Sequence, residues 1–193
     1  EFVARMSKLP KVCDHYHLSL QSGCNRTLKR MNRKYNAEQY AEACERLRNA
    51  FPNVAITTDI IVGFPDETEE DFKESLAFAE RMKLDKIHTF PYSPKKGTPA
   101  AKMKNQISGD VKSQRSKEMI ALSDKMNIDF LNNNIGKTVP VLFEDMENGF
   151  WQGHTTNYIK VLAKSDENLN NKIVDVKLDK IHGVEIVEGT VVK

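Results

Sequence analysis

The stretch TTDIIVGFPDETEEDF, residues 57–72, sets the narrowest limits on the fold. A β-branched and aliphatic run, VAITTDIIVGF (54–64), ends at Gly63-Phe64-Pro65, and acid after acid then leads into a helical pattern. The composition of that run predicts a strand covered on both faces. Gly63 permits a sharp turn, and Pro65 fixes the exit. Thr68 is placed to cap the helix with Asp71 at the third position, and Glu69, Glu70 and Asp71 suit the positive end of its dipole. Bare N–H groups in such a turn can take an anion or the edge of an adenine.

The same theme occurs on either side. HYHLSLQSGCN (15–25) alternates like a strand and breaks at Gly23, and a short basic helix follows. Next, NAEQYAEACERLRNAF carries an N-cap at Asn36 with Gln39 three residues on, and an apolar stripe of Tyr40, Cys44, Leu47 and Phe51. KIHTFPYSP (86–94) is a third strand, stopped by Pro91 and Pro94. Strands alternating with helices predict an α/β fold with parallel strands. Right-handed crossovers then bring the loops QSGCNR, GFPDET and PYSPKKGTP to one rim, where α/β proteins bind ligands. A long helix is expected over 110–134.

From Lys137 the texture changes to five short alternating segments with turn residues between them, which predicts a small all-β, OB-like barrel. The expected domains are 1–135 and 136–193. No apolar run approaches the ~20 residues of a membrane helix. The start, EFVARMSKLPK, lacks a signal-peptide apolar core, which makes the cytoplasm the default, and reads as the end of a helix already under way, as in a fragment.

Among candidate rim residues, Gln21 and Ser22 close the first strand, while Arg30 and Arg33 offer planar donor forks for carboxylate or phosphate. Asp59, inside an apolar strand, needs a partner, either a ligand or an internal salt bridge. The basic runs 26–34 and 95–117 supply Lys29, Lys34, Lys95 and Lys96 as phosphate contacts, or simply form solvated faces. In the β unit, Trp151 and Tyr158 are either base-stacking residues, with Lys160 nearby for phosphate, or core. That unit holds seven Lys or Arg against nine Asp or Glu, so any RNA contact there is local or shared. Cys13, Cys24 and Cys44 have ten and nineteen residues between them and form no CxxC or CxxxCxxC set, so no metal site is expected. No nucleophilic triad stands out, and no catalytic residue is assigned.

Three motifs in order, HLSLQSGCNRTLKRMNRKY, TTDIIVGFPDETEEDF and FPYSPKKGTPAA, followed by GHTTNYIKV in the β unit, resemble the carboxyl-terminal part of a radical S-adenosylmethionine (SAM) methylthiotransferase. The resemblance implies the later half of a partial (β/α) radical SAM barrel followed by a TRAM domain. HTFPYS and TTNYI look most like the tRNA threonylcarbamoyladenosine branch, with the isopentenyladenosine tRNA and ribosomal-protein S12 branches as alternatives. It further implies SAM and 4Fe–4S clusters as cofactors, a tRNA anticodon stem-loop as partner, and methylthiolation of a modified adenosine beside the anticodon. Carried over by position, Gln21, Ser22, Arg30 and Arg33 would hold the polar end of SAM. Asp59, Val62, Gly63 and Phe64 would line its adenosine side, and Pro91 and Tyr92 would shape the third part of the rim. The family's cluster cysteines are absent from this sequence. The expectation is therefore that this chain alone binds no iron and is inactive, the remainder of the protein being its missing partner. Asp66 stands where the family usually has Gly, and Cys24 where Ser is common. A free-standing RNA-binding adaptor is the competing reading.

Overall fold

The computed structural model describes residues 1–192. After a short helix α1 (Phe2–Met6), the chain runs β1 (His15–His17), α2 (Asn25–Arg30), α3 (Ala37–Ala50), β2 (Ala55–Val62), α4 (Glu69–Met82) and β3 (Lys86–Pro91). The three strands pair in parallel in the order β1-β2-β3. Both predicted capping boxes form: Asn36 with Gln39 opens α3, and Thr68 with Asp71 opens α4. Each satisfies N–H groups that a helix start otherwise leaves bare.

β1 is shorter than the alternation predicts, because its ladder to β2 is interrupted by a side chain. The Thr58 hydroxyl accepts the Leu20 N–H (2.8 Å) and donates to the Leu18 carbonyl (2.5 Å). Pairing resumes as a single bridge between Gln21 and Ile60.

β2 sorts its residues strictly by parity. Ile56, Ile60 and Val62 lie in the core with Tyr40, Cys44 and Leu47 of α3 and with Phe72, Phe78 and Met82 of α4. The opposite face, carrying Thr57, Asp59 and Ile61, lines two cavities, one of them shared with Asn127, Phe130 and Leu131 of the long helix after β3. The expectation of a strand sandwiched on both faces is thus corrected: β2 is β-branched at six of its eight positions, but α3 and α4 pack on one face and the other lines cavities.

Helix α5 (Gly109–Asn132) is capped by Ser108, whose hydroxyl accepts the Val111 N–H (3.4 Å). At ~1.5 Å per residue it is ~36 Å long, and it adds Met119 and Met126 to the α/β core. Further along, Leu131 enters a second core. That core belongs to strands β4 (Thr138–Glu147), β5 (Phe150–Thr155), β6 (Lys160–Ala163), β7 (Lys172–His182) and β8 (Ile186–Val191), which close into a barrel in the order β4-β5-β6-β8-β7. Closure removes free strand edges. Val141, Phe143, Val161, Val176, Leu178 and Val187 fill the barrel at 0% exposure. Trp151 lies among them and is only 7% exposed. It is a core residue, not an RNA-stacking one, because its inward place on β5 leaves no face for a base. No helix among the described residues is long and apolar enough to cross a membrane.

Candidate functional site

The carboxyl ends of the three strands meet at a cleft of about 450 Å³ lined by Gln21, Asp59, Ile61, Phe90, Pro91, Tyr92, Ser93, Lys95, Thr98 and Ala100. Residues separated by up to 79 positions in sequence come together there, as the parallel topology requires. Gln21 sits at φ 70, a left-handed conformation that a non-glycine residue adopts at a cost of about 1–2 kcal/mol. Its backbone is fixed on both sides, with its N–H donated to the Asp59 carbonyl (2.8 Å) and its carbonyl accepting the Ile61 N–H (2.9 Å). Asp59 is not buried alone: its Oδ2 accepts from Ser19 Oγ (3.1 Å) and lies 3.2 Å from His17 Nε2. Tyr92 stacks edge-on against Phe64 at 5.2 Å between ring centroids, and its hydroxyl has no partner among the described residues. Apolar walls with a few convergent polar groups are what a nucleoside-sized ligand needs.

Four expectations for this rim are corrected. The Gly63 turn is not open to an anion, because the Glu67 carboxylate fills it: Gly63 N–H donates to Glu67 Oε1 at 2.8 Å. Ser22 is 1% exposed, and its hydroxyl accepts the Cys24 N–H (3.2 Å). The Val62 side chain points into the helix-covered core, leaving its carbonyl, which accepts the Tyr92 N–H (2.9 Å), as the part at the rim. Arg30 is committed to the protein itself, since it pairs with Asp71, whose other oxygen holds Arg26 at 2.6 Å. Burial alone would push the Asp71 carboxyl up, but bonds from Arg30, the Thr68 N–H and Cys24 outweigh it and hold it below its usual range. Arg33, Lys29, Lys34, Lys95 and Lys96 are exposed, and Lys95 lines the cleft.

Tyr158 and Lys160 lie elsewhere, at the seam where the β barrel meets the amino ends of the strands. A cavity of about 240 Å³ there is lined by His15, His17, Thr57, His88, His154 and Tyr158, with Lys160 at its edge. Tyr158 stacks with His15 (4.8 Å) and His154 (4.7 Å). Burial, with His17 and His88 beside it, lowers the affinity of His15 for a proton. Lys86 binds Glu185 (2.8 Å) across the same seam, and Asn127 donates to the Val184 carbonyl. The sequence-predicted RNA residues therefore occupy two ends of the sheet, not one surface.

The cysteines do not form an iron–sulfur ligand set. Cys13 is exposed, Cys44 is buried on α3, and Cys24 Sγ lies 3.3 Å from both Asp71 Oδ1 and Glu74 Oε2. Burial pushes the Cys24 thiol up, which favours the protonated thiol that donates to the two carboxylates.

Sequence reading overlooked Arg115. It occupies the buried stripe of α5 at 5% exposure, four residues before Met119, and reaches Glu67. An arginine in phase with Met119, Leu122 and Met126 was the available signal.

With this geometry in place, comparison with known proteins finds that residues 1–79 match the model of the Radical SAM superfamily. The solved structure of coproporphyrinogen III oxidase (HemN) from Escherichia coli, a radical SAM enzyme, shares the fold over 74% of this chain and 41% of its own, with a TM-score of 0.51 at 15% identity. More particularly, the chain is similar over its whole length to the threonylcarbamoyladenosine tRNA methylthiotransferase MtaB of Bacillus subtilis (strain 168), at 38% identity over 198 residues, 44% of that protein. Over 92% of its length it is 43% identical to the tRNA-2-methylthio-N(6)-dimethylallyladenosine synthase of Thermoanaerobacter sp. (strain X514), covering 38% of that enzyme. The chain thus spans less than half the length of these curated relatives.

Proposed function

We propose that this chain is the later part of a tRNA-modifying radical SAM methylthiotransferase, its three strands forming part of the SAM barrel and its β barrel serving as a TRAM domain that docks tRNA. The observation that carries the reading is the convergence of Gln21, Asp59, Pro91 and Tyr92 from all three strand ends on one cleft, in a chain similar along its length to enzymes of that class. SAM, when bound, supplies the one-electron chemistry by which the superfamily activates an unreactive C–H bond. The chain's own share is binding and orientation. Gln21 and Asp59 offer hydrogen bonds to the ribose and amine ends of a nucleoside. Phe90, Pro91 and Tyr92 provide an apolar wall for its base and exclude water. Lys29, Arg33, Lys34, Lys95 and Lys96 ring the opening with positive charge for a phosphate backbone. In this reading the cluster ligands lie outside this chain's residues. The substrate proposed is the modified adenosine beside the anticodon, with the threonylcarbamoyl form favoured by HTFPYS and TTNYI.

The test is to express the open reading frame that contains this chain in a host lacking adenosine methylthiotransferases, and to analyse tRNA digests by mass spectrometry. Appearance of a methylthio-adenosine supports the reading. A soluble, iron-loaded protein that leaves the tRNA unchanged overturns it.

A further inference from the structure

Two of the three rim loops are held from outside the sheet by cations one helical turn apart on α5. Arg115 Nη1 donates to Glu67 Oε1 (2.9 Å) and to the Glu67 carbonyl (3.2 Å), and its Nη2 reaches Glu69 (3.4 Å). The same Glu67 Oε1 accepts the Gly63 N–H, so the chain of contacts runs from α5 through Glu67 into the turn. The arginine and glutamate side chains are 6% and 3% exposed. Lys112 Nζ donates to the Tyr92 carbonyl (3.1 Å) at the end of β3, and the Lys112 stem lies against Gly63. The two cations therefore fix the turn after β2 and the end of β3 relative to one another, beside the cleft that Tyr92 lines.

We propose that Arg115 is a positioning residue for the nucleoside cleft: through Glu67 it sets the place of the Gly63–Phe64 turn, while Lys112 sets that of Tyr92. The proposal rests on reading the rim as the SAM-binding site. A buried ion pair adds little net stability over well-packed apolar residues, whereas its fixed geometry defines one conformation. The guanidinium fork engages Glu67 through Nη1 and Glu69 through Nη2, a spread that the single nitrogen of a lysine does not reproduce. Neither residue lines the cleft, so each acts through the loop it holds.

The test uses the full 193-residue chain with Arg115→Met, Arg115→Lys and Lys112→Met. Lys125→Met, on the same helix but paired to Glu80 at the exposed surface, serves as control. Two readouts are taken well below the unfolding temperature: amide hydrogen exchange at Gly63 compared with Ile60, and affinity for S-adenosylhomocysteine. Arg115→Met is expected to speed exchange at Gly63 roughly tenfold or more while leaving Ile60 unchanged, and to weaken ligand binding by a similar factor. Arg115→Lys recovers part of both, and the control changes neither. Exchange that rises equally at Gly63 and Ile60, or a Gly63 amide that stays protected, overturns the positioning role. If Arg115→Met does not fold, Arg115→Lys decides on the same criteria. Failure of the unaltered chain to bind the ligand overturns the functional reading, while Gly63 exchange still judges the contact itself.

Discussion

Replacing Gly63 by Ala tests how tightly α5 closes on the rim turn. Gly63 has φ +71, where a side chain adds about 1–2 kcal/mol of backbone strain. A Cβ there would also lie 2.2 Å from Lys112 Cγ and 2.9 Å from its Cδ, so the lysine must swing away. Doing so breaks its 3.1 Å bond to the Tyr92 carbonyl, a half-buried charge-assisted contact worth about 1–2 kcal/mol. The sum is a loss of roughly 2–4 kcal/mol. Lys112→Ala removes the colliding atoms, and its Cβ, 3.4 Å away, is an ordinary contact. In that background Gly63→Ala should cost only the backbone part. Urea denaturation of the four members of the cycle should therefore give a coupling of about 1–2 kcal/mol. Equal costs in both backgrounds would refute the proposed closure.

Asp71→Asn should destabilise by roughly 3–5 kcal/mol, because it strips the partner from Arg30 in a site where the Asp71 side chain is 0% exposed. Since the folded form holds this carboxyl below its usual 3.8, its contribution is present above that value and is lost as pH falls through the lowered one. A urea midpoint unchanged by the substitution at pH 7 would contradict this. Asp85 behaves in the opposite sense: burial raises it to about 6 from 3.8, with the Ile56 N–H and Arg48 opposing. The native state then keeps the proton longer than the unfolded chain, so this group's part of the stability is greatest at low pH and falls as pH rises through 3.8 to 6. Asp85→Asn should remove roughly 2–3 kcal/mol of that fall between pH 4 and 7, measured as the difference in unfolding free energy at the two values. Trp151→Ala should cost roughly 3–5 kcal/mol as a core truncation, read as a lower urea midpoint. Anaerobic incubation of the chain with iron and sulfide should give no stoichiometric cluster and no cluster absorption band.

Much of the frame is set by local chemistry and was legible in sequence. The caps at Asn36 and Thr68 act within three residues, and the Gly63 turn lies between a strand and a helix that each declare themselves. What escaped depends on contacts distant in sequence. Arg30 offers a fork in its own segment and becomes the partner of a buried carboxylate only when Asp71 arrives, forty-one residues later. The turn N–H at Gly63 looks bare until Glu67 folds back and Arg115 neutralises it. Trp151 alternates with polar neighbours in a way that fits either face of β5, and only barrel closure decides between them. The seam histidines are unremarkable one by one; His15, His17, His88 and His154 meet because the β barrel settles on the open face of the sheet.

The most direct test of the account is to map S-adenosylhomocysteine on the isotope-labelled chain by amide chemical-shift perturbation. The account predicts changes confined to the rim at Gln21, Asp59, Gly63 and Tyr92, with the seam at His15, His154 and Tyr158 silent. Changes centred on the seam, or none at saturating ligand, would contradict it.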